Sequence, residues 1–204
     1  MRFYKVLSPD LTSRNGGTHQ WHLGEWTPPV TSLEPCVSGY HVCQESDLVE
    51  WLGPVICEAE IGGQYVRAHN KTVATTARIT RVLDTWNATT QRLFACDCAE
   101  RVLALFEKAY PIDLRPRQAI ETARSFARGE ATRDSMDAAA DAAADAAARA
   151  AGIAARAARA ARAAAAHADA AYAAAHAAST TRAADAAERQ WQNARLLRYL
   201  RGEE

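Results

Sequence analysis

The sequence lacks an excess of charge of either sign, because 24 lysine and arginine residues balance 24 aspartate and glutamate residues. This balance argues against a protein that binds nucleic acid directly, since phosphate recognition depends on a basic excess. It argues equally against an acidic mimic of DNA. Aromatic residues make up only 7% of the chain. They are nevertheless well spread among many apolar residues, which excludes general disorder.

Long apolar runs are also missing. No stretch approaches the ~20 apolar residues that a membrane span needs, and Met1–Pro9 is too short and too mixed for a signal peptide. The five cysteines are an odd number, which favours reduced thiols in a cytosol. We therefore expect a cytoplasmic protein without membrane contact, located in the host cytoplasm if a phage encodes it.

The first 88 residues have mostly β-type patterns. Phe3–Leu7 and Val55–Ile61 are predicted strands, the second because apolar residues alternate with glutamates. A short helix is predicted over Glu45–Leu52. The pair Gly62-Gly63 is expected to turn the chain, and Val73–Leu83 supplies a further β-favouring run.

From residue 89 onward the apolar period becomes helical. The first predicted helix, Thr90–Tyr110, is stopped by Pro111. The second starts near Pro116 and ends at Arg128, where Gly129 provides a C-terminal cap. A third helix begins at the N-cap Thr132 and continues at least to Ala151. A last helix, capped within Ser179-Thr180-Thr181, ends near Leu200.

About two-thirds of the residues between Asp137 and Glu188 are alanine. Small side chains let helix axes approach closely, so many short contacts replace the burial of large side chains. A single rod of about 47 residues, roughly 70 Å long, would leave its apolar sides in water. We therefore predict a break near Gly152. The expected fold is α+β, with a small mixed β domain over 1–88 followed by an Ala-rich antiparallel helical bundle over 89–204.

Candidate binding residues lie in both predicted domains. Trp21, His22 and Trp26 occupy a loop rich in glycine and proline. Exposed loop aromatics often carry recognition, but these tryptophans could equally cover the sheet as a small core. Arg115 and Arg117 are candidates for orienting or steering a protein partner.

No metal site is predicted. In the first domain the spacing of the possible zinc ligands matches no common zinc motif; these are Cys36, His41, Cys43 and Cys57. His167 and His176 lie nine residues apart, which places them on opposite sides of one helix. His41 could transfer a proton, although a histidine in such a position more often hydrogen-bonds the backbone.

Two resemblances cover most of the chain. The first is to an uncharacterised N-terminal domain of actinobacterial and phage proteins, carried by Gly39–Cys43, Leu48–Leu52, Cys57–Ile61, His69–Ala74 and Arg78–Trp86. The second is to a helical immunity-protein family named for its genomic setting beside polymorphic toxins, carried by Ala95–Leu105, Arg115–Gly129, Ala165–Ala178 and Glu188–Leu197. The second resemblance implies a toxin as partner. Neither resemblance implies a catalytic mechanism.

These patterns lead to one expected function and two alternatives. We expect a non-enzymatic inhibitor or immunity protein of bacterial or phage conflict, for example an anti-defence or anti-CRISPR protein, which occludes a partner and needs no cofactor. The first alternative rests on a resemblance of the N-terminal half to the core of ADP-ribosyltransferases. It implies an enzyme that uses NAD near Tyr40 and His41 to modify a defence protein, or a degenerate relative of such an enzyme. The second is a self-assembling structural component of a phage.

Overall fold

The computed structural model describes residues 1–150, 152–165, 171, 173–175 and 186–203. The chain divides into two compact units. The strand unit contains Met1–Trp86 together with Leu200–Glu203, and the helical unit contains Asn87–Tyr199. A strand region followed by a helical region confirms the predicted α+β class.

The strand unit is built on one closed antiparallel sheet with the order β1-β2-β4-β3. A 3-10 helix, Glu45–Trp51, follows β2 directly, where the sequence predicts a short helix. The strands are β1 (Phe3–Leu7), β2 (Tyr40–Gln44), β3 (Val55–Arg67) and β4 (Thr72–Val82). β1 pairs with both β2 and β3, and β4 pairs with the same two strands, which closes the sheet.

The prediction that Gly62-Gly63 turns the chain is wrong, because β3 continues through this pair to Arg67. Gly63 has φ +68° and lies where the pairing with β4 shifts between Gly62 and Tyr65. A positive φ is the conformation that glycine adopts at low cost, so the pair bends a long strand into a bulge instead of ending it.

The core of the strand unit includes side chains from all four strands and from the loop before β2. Its fully enclosed members are Leu7, Trp21, Val42, Cys57, Ala59, Ala77 and Ile79. The loop also runs along β4, since the backbone N–H groups of Gly24, Thr27 and Val30 donate to Ile79, Ala77 and Thr75. This loop therefore covers the sheet and positions the aromatic residues within it.

The described helices of the helical unit are α1 (Ala88–Ala109), α2 (Arg115–Ala127), α3 (Arg133–Arg149), α4 (Gly152–Ala165) and α5 (Ala186–Arg201). The predicted cap Thr132 accepts a hydrogen bond from the Ser135 N–H. Gly129, the predicted C-terminal cap of α2, has φ +77°, and Glu130 N–H donates back to Ser125 O. These short-range signals therefore define the helix ends as the sequence predicts.

The first two helices are antiparallel, as their ion pairs show. Arg124, near the end of α2, binds Asp97 in the first half of α1. Arg117, near the start of α2, binds Glu107 near the end of α1. α4 packs against α1, α2 and α3.

The alanine tract is broken as predicted, two residues earlier than the expected end of the third helix. α3 ends at Arg149, and Ala150 has an extended backbone with φ −87° and ψ 160°. α3 and α4 then pack on each other, and both helices bury alanines, among them Ala143, Ala147, Ala157 and Ala161. The break lets two small-residue faces bury each other, which a continuous rod would leave in water.

Two sequence interpretations lie outside the described residues: the caps in Ser179-Thr180-Thr181 and the placement of His167 relative to His176. Across the described ranges, no helix combines the length and apolar character needed to cross a membrane.

Candidate functional site

The connection between α1 and α2, residues 110–114, exposes apolar side chains and is called the α1–α2 loop here. Ile112 is 95% exposed and Leu114 is half-exposed. Among the described residues, the other exposed large apolar side chains all lie within residues 1–66. The α1–α2 loop is thus the apolar surface feature of the described helical unit.

Local sequence explains why Ile112 cannot fold inward. Pro111 cannot continue α1 because it has no N–H to donate. Tyr110 instead ends the helix, with its N–H donating to Phe106 O and its ring stacked on that of Phe106 at 5.1 Å. Asp113 N–H then donates to Tyr110 O, which closes a turn with Pro111 and Ile112 at its two central positions. The turn holds Ile112 at the tip of the loop.

Two arginine–carboxylate pairs fix this turn to the helices. Arg115 binds Asp113 through two side-chain hydrogen bonds of 2.8 and 2.5 Å. Arg117 binds Glu107 through two bonds of 2.7 and 2.9 Å. Bidentate pairs of this kind restrict both partners in distance and orientation. The loop is therefore held from both sides.

These pairs give the two arginines a role within their own chain, and the steering of a partner stays a prediction for them. The hydrogen bond from Arg115 lowers the pKa of Asp113, and the same contact raises the pKa of Arg115. Both arginines donate these hydrogen bonds to carboxylates of their own chain. They position the loop and form a charged border beside Ile112 and Leu114.

A second ion network braces α1 against α2 and α5. Asp97 accepts hydrogen bonds from Arg124 Nη2 at 2.9 Å, Arg195 Nε at 2.6 Å and Tyr199 Oη at 2.8 Å. Burial, followed by the charge of Asp97, raises the pKa of Tyr199, so the phenol stays a donor. This arrangement ties three helices to one carboxylate.

Trp21 is buried in the strand unit and has no surface to offer a partner. Its Nε1–H donates to Ser13 Oγ at 2.8 Å, and Lys5 Nζ lies 5.0 Å from its ring centre. Of the two roles left open for the loop tryptophans, covering the sheet is therefore the one that Trp21 fills.

Trp26, in contrast, is 46% exposed, and His22 is exposed as well. The Arg78 guanidinium lies 4.8 Å from the centre of the Trp26 ring and also binds Glu60 at 2.6 Å. A Cβ on Gly62 would approach the same ring to 3.0 Å, so glycine makes room for the tryptophan on the sheet. Trp26 remains a binding candidate in the strand unit, whereas Arg115 and Arg117 belong to the helical unit.

Tyr40 and His41 both make structural hydrogen bonds. Tyr40 Oη donates to Pro28 O at 2.8 Å. His41 Nε2 accepts the backbone N–H of Cys36 at 2.9 Å, so the histidine hydrogen-bonds the backbone. Burial lowers the pKa of His41, and the nearby charges of Lys5 and Lys71 lower it further, which keeps Nε2 an acceptor.

The cysteines weighed as zinc ligands occupy different environments. Cys36 is exposed, whereas Cys43 and Cys57 are buried, and all five cysteines are free. Burial raises the pKa of Cys43 to about 12 and that of Cys57 to about 11, so both carry protons at neutral pH. Within the described part of the chain, no group of three His, Cys, Asp or Glu residues is arranged to hold a metal ion.

Sequence reasoning missed Ile112 and Leu114. The available signal was an apolar residue directly after a helix-stopping proline, outside any helical or strand period. Such a residue belongs to no helix or strand face that could bury it, so its exposure could have been predicted from the sequence. The pairing of Arg117 with Glu107 could not have been predicted in this way, because Glu107 lies on another helix.

Comparison with known families gives a match that covers most of the helical unit. No curated protein and no solved structure matches the chain. The model of the family described as Imm-5 like putative immunity protein matches residues 81–199, which is more than half of the 204 residues. The chain therefore belongs to the Imm-5 like immunity protein family.

Proposed function

We propose that this chain binds a toxin protein through the α1–α2 loop and inhibits it by covering its surface, without chemistry of its own. The observation that carries the proposal is Ile112, which stands 95% exposed on a braced loop inside the family domain. An immunity role implies a protein partner, and this loop offers such a partner an apolar anchor.

The energetics of binding favour this loop. Complete burial of an exposed isoleucine contributes about 1.5–3 kcal/mol, and a few such central residues dominate most interfaces. Because two bidentate pairs already fix the loop, little conformational freedom is lost when a partner binds. The paired charges would lie at the rim, where water remains accessible.

We assign Trp26 a second, independent contact with a protein partner. Its ring and the stacked Arg78 guanidinium are the residue types that interfaces use most often as anchors. This part of the proposal also accommodates the resemblance of the strand unit to a domain of actinobacterial and phage proteins.

The test compares Ile112→Asp with a matched exposed residue of the strand unit, Val37→Asp, since Val37 is 72% exposed. Each variant is expressed with every toxin-domain protein encoded beside the gene, and survival of the host is measured. The wild type and Val37→Asp should protect against one of these toxins, and Ile112→Asp should not. Copurification with that toxin should follow the same order.

Equal protection by Ile112→Asp would remove the α1–α2 loop from the mechanism. Protection with no stable complex would contradict inhibition by occlusion. A phage-encoded inhibitor of a host defence complex would use the same loop on another partner. In that case the wild type restores phage growth on a defended host, and it protects against no neighbouring toxin.

A further inference from the structure

A thiol and an amine lie in close contact at the surface of the strand unit. Lys71 Nζ is 2.9 Å from Cys36 Sγ. Sulfur is larger than oxygen, yet this separation is no longer than an ordinary N–H···O hydrogen bond. We call these two residues the Cys36–Lys71 pair.

The amine is held from the sheet side. Lys71 closes the turn between β3 and β4, where Ala68 N–H donates to Lys71 O at 2.9 Å. Its ammonium lies 5.2 Å from the centre of the Trp51 ring, and the Trp51 Nε1–H donates to Asn70 O. The aromatic ring therefore fixes both the turn and the direction of the lysine side chain.

The thiol is held from the loop side by a tight turn. Val37 N–H donates to Glu34 O, with Pro35 and Cys36 at the two central positions. Cys36 has φ +70°, which is the geometry of a type II turn, where glycine is the favoured residue. His41 Nε2 accepts the Cys36 N–H and anchors this conformation.

Strand pairing brings together the two segments that carry Cys36 and Lys71. His41 of β2 lies opposite Val73 of β4, and Val42 lies opposite Thr72. The loop before β2 and the turn before β4 are therefore neighbours in the closed sheet.

The Cys36 thiol is also the accessible one. Cys36 is exposed, whereas Cys43, Cys57, Cys96 and Cys98 are buried. A small oxidant in water therefore reaches Cys36 first.

We propose that the Cys36–Lys71 pair is an oxidative cross-linking site, at which a hydroperoxide converts the thiol and the amine into a sulfur–nitrogen bond. In the first step the deprotonated sulfur attacks a peroxide oxygen. An S–O bond forms, the O–O bond breaks, and the leaving hydroxide takes up a proton to give water. Sulfur loses two electrons, the peroxide gains them, and Cys36 becomes a sulfenic acid.

In the second step the Lys71 amine, after releasing its ammonium proton, attacks the same sulfur. The S–N bond forms, the S–O bond breaks, and hydroxide leaves with the second amine proton as water. No electrons are transferred in this step. In sum, one thiol, one amine and one hydrogen peroxide give one sulfenamide and two waters, and the link joins the Cys36 turn to the β3–β4 turn.

The experiment treats the full chain with hydrogen peroxide and measures its intact mass and its proteolytic peptides. The expected product is lighter than the reduced chain by two hydrogen atoms and yields one peptide pair joined through Cys36 and Lys71. A thiol reductant should restore the original mass, because it reduces the S–N bond. The chain has only two other lysines, Lys5 and Lys108, and neither should be linked.

Two variants separate the steps. Lys71→Arg keeps the positive charge but removes the primary amine, so Cys36 should stop at the sulfenic acid and be captured by a 1,3-dione. Cys36→Ser should give neither product. The wild type should react with the dione much less than Lys71→Arg does, because Lys71 consumes the sulfenic acid.

Three results would overturn the proposal. The first is a wild-type chain that accumulates sulfinic acid at Cys36 while Lys71 stays free. The second is a wild-type chain that reacts with the dione as fully as Lys71→Arg. The third is a linked product that retains a peroxide oxygen, which would exclude a direct S–N bond.

Discussion

Replacing Asp97 by asparagine tests whether one carboxylate holds three helices of the helical unit together. The substitution keeps the size of the side chain but removes its charge. It also replaces one acceptor oxygen by an NH₂ group that faces donors of Arg124, Arg195 or Tyr199. The expected effect is a loss of stability without a change of fold.

The size of this loss follows from the burial of Asp97 and from the number of its partners. Removing one member of a buried ion pair costs about 3–5 kcal/mol. Asp97 retains 15% exposure, and its two arginines are 24% and 22% exposed, so water offsets part of this cost. We therefore expect Asp97→Asn to lower the free energy of unfolding by about 3 kcal/mol.

Urea unfolding of the full chain, followed by helical circular dichroism, measures this change. The matched control is Glu60→Gln, whose carboxylate is 51% exposed and pairs with Arg78. Such a surface pair contributes no more than about 1 kcal/mol. A cycle with Arg195→Met should give a coupling energy on the order of 1–3 kcal/mol. A loss for Asp97→Asn no greater than that of the control would refute the bracing role of Asp97.

Three further changes probe single features. Burial lowers the pKa of Lys5 from 10.5 to about 8, so the unfolded chain binds more protons between these values. The stability of the wild type relative to Lys5→Met should therefore rise with pH across that window, by at most about 3 kcal/mol; equal pH profiles in urea titrations would contradict this. Gly24→Ala should cost about 1 kcal/mol of stability, because alanine is strained at a positive φ. Gly63→Ala should cost more. Both glycines have positive φ, but only at Gly63 would a Cβ collide with Thr75 Oγ1; equal losses in the same assay would exclude the collision. Thr132→Ala should cost about 1 kcal/mol through loss of the α3 cap, measured by thermal melting, and an unchanged melting temperature would show that the cap is dispensable.

The glycine pair at 62–63 shows how local sequence can permit two structures. A Gly-Gly pair after an alternating strand is compatible with a tight turn or with a bulge, because both use a positive φ. The choice depends on whether a partner strand continues beside it. β4 does continue, with Thr76 opposite Gly62, and this partner lies beyond the range of any local pattern.

The two loop tryptophans show the same limit for burial. Trp21 and Trp26 have similar neighbours in sequence, so composition cannot assign one to the core and the other to the surface. Trp21 packs with Leu7 and Ile79, whereas Trp26 lies over Gly62 and under Arg78. The difference arises from the path of the loop along β4.

The sequence by itself determined the end of α2, the start of α3 and the need to break the alanine tract. Those features depend on residues within one or two turns of each other, such as Thr132 with Ser135 or Gly129 with Phe126. Tertiary structure alone decided that Arg124 and Arg195 pair with Asp97, which tryptophan is buried and which thiol lies beside an amine. These outcomes depend on side chains that are distant in sequence and become neighbours only when the sheet closes and the helices pack.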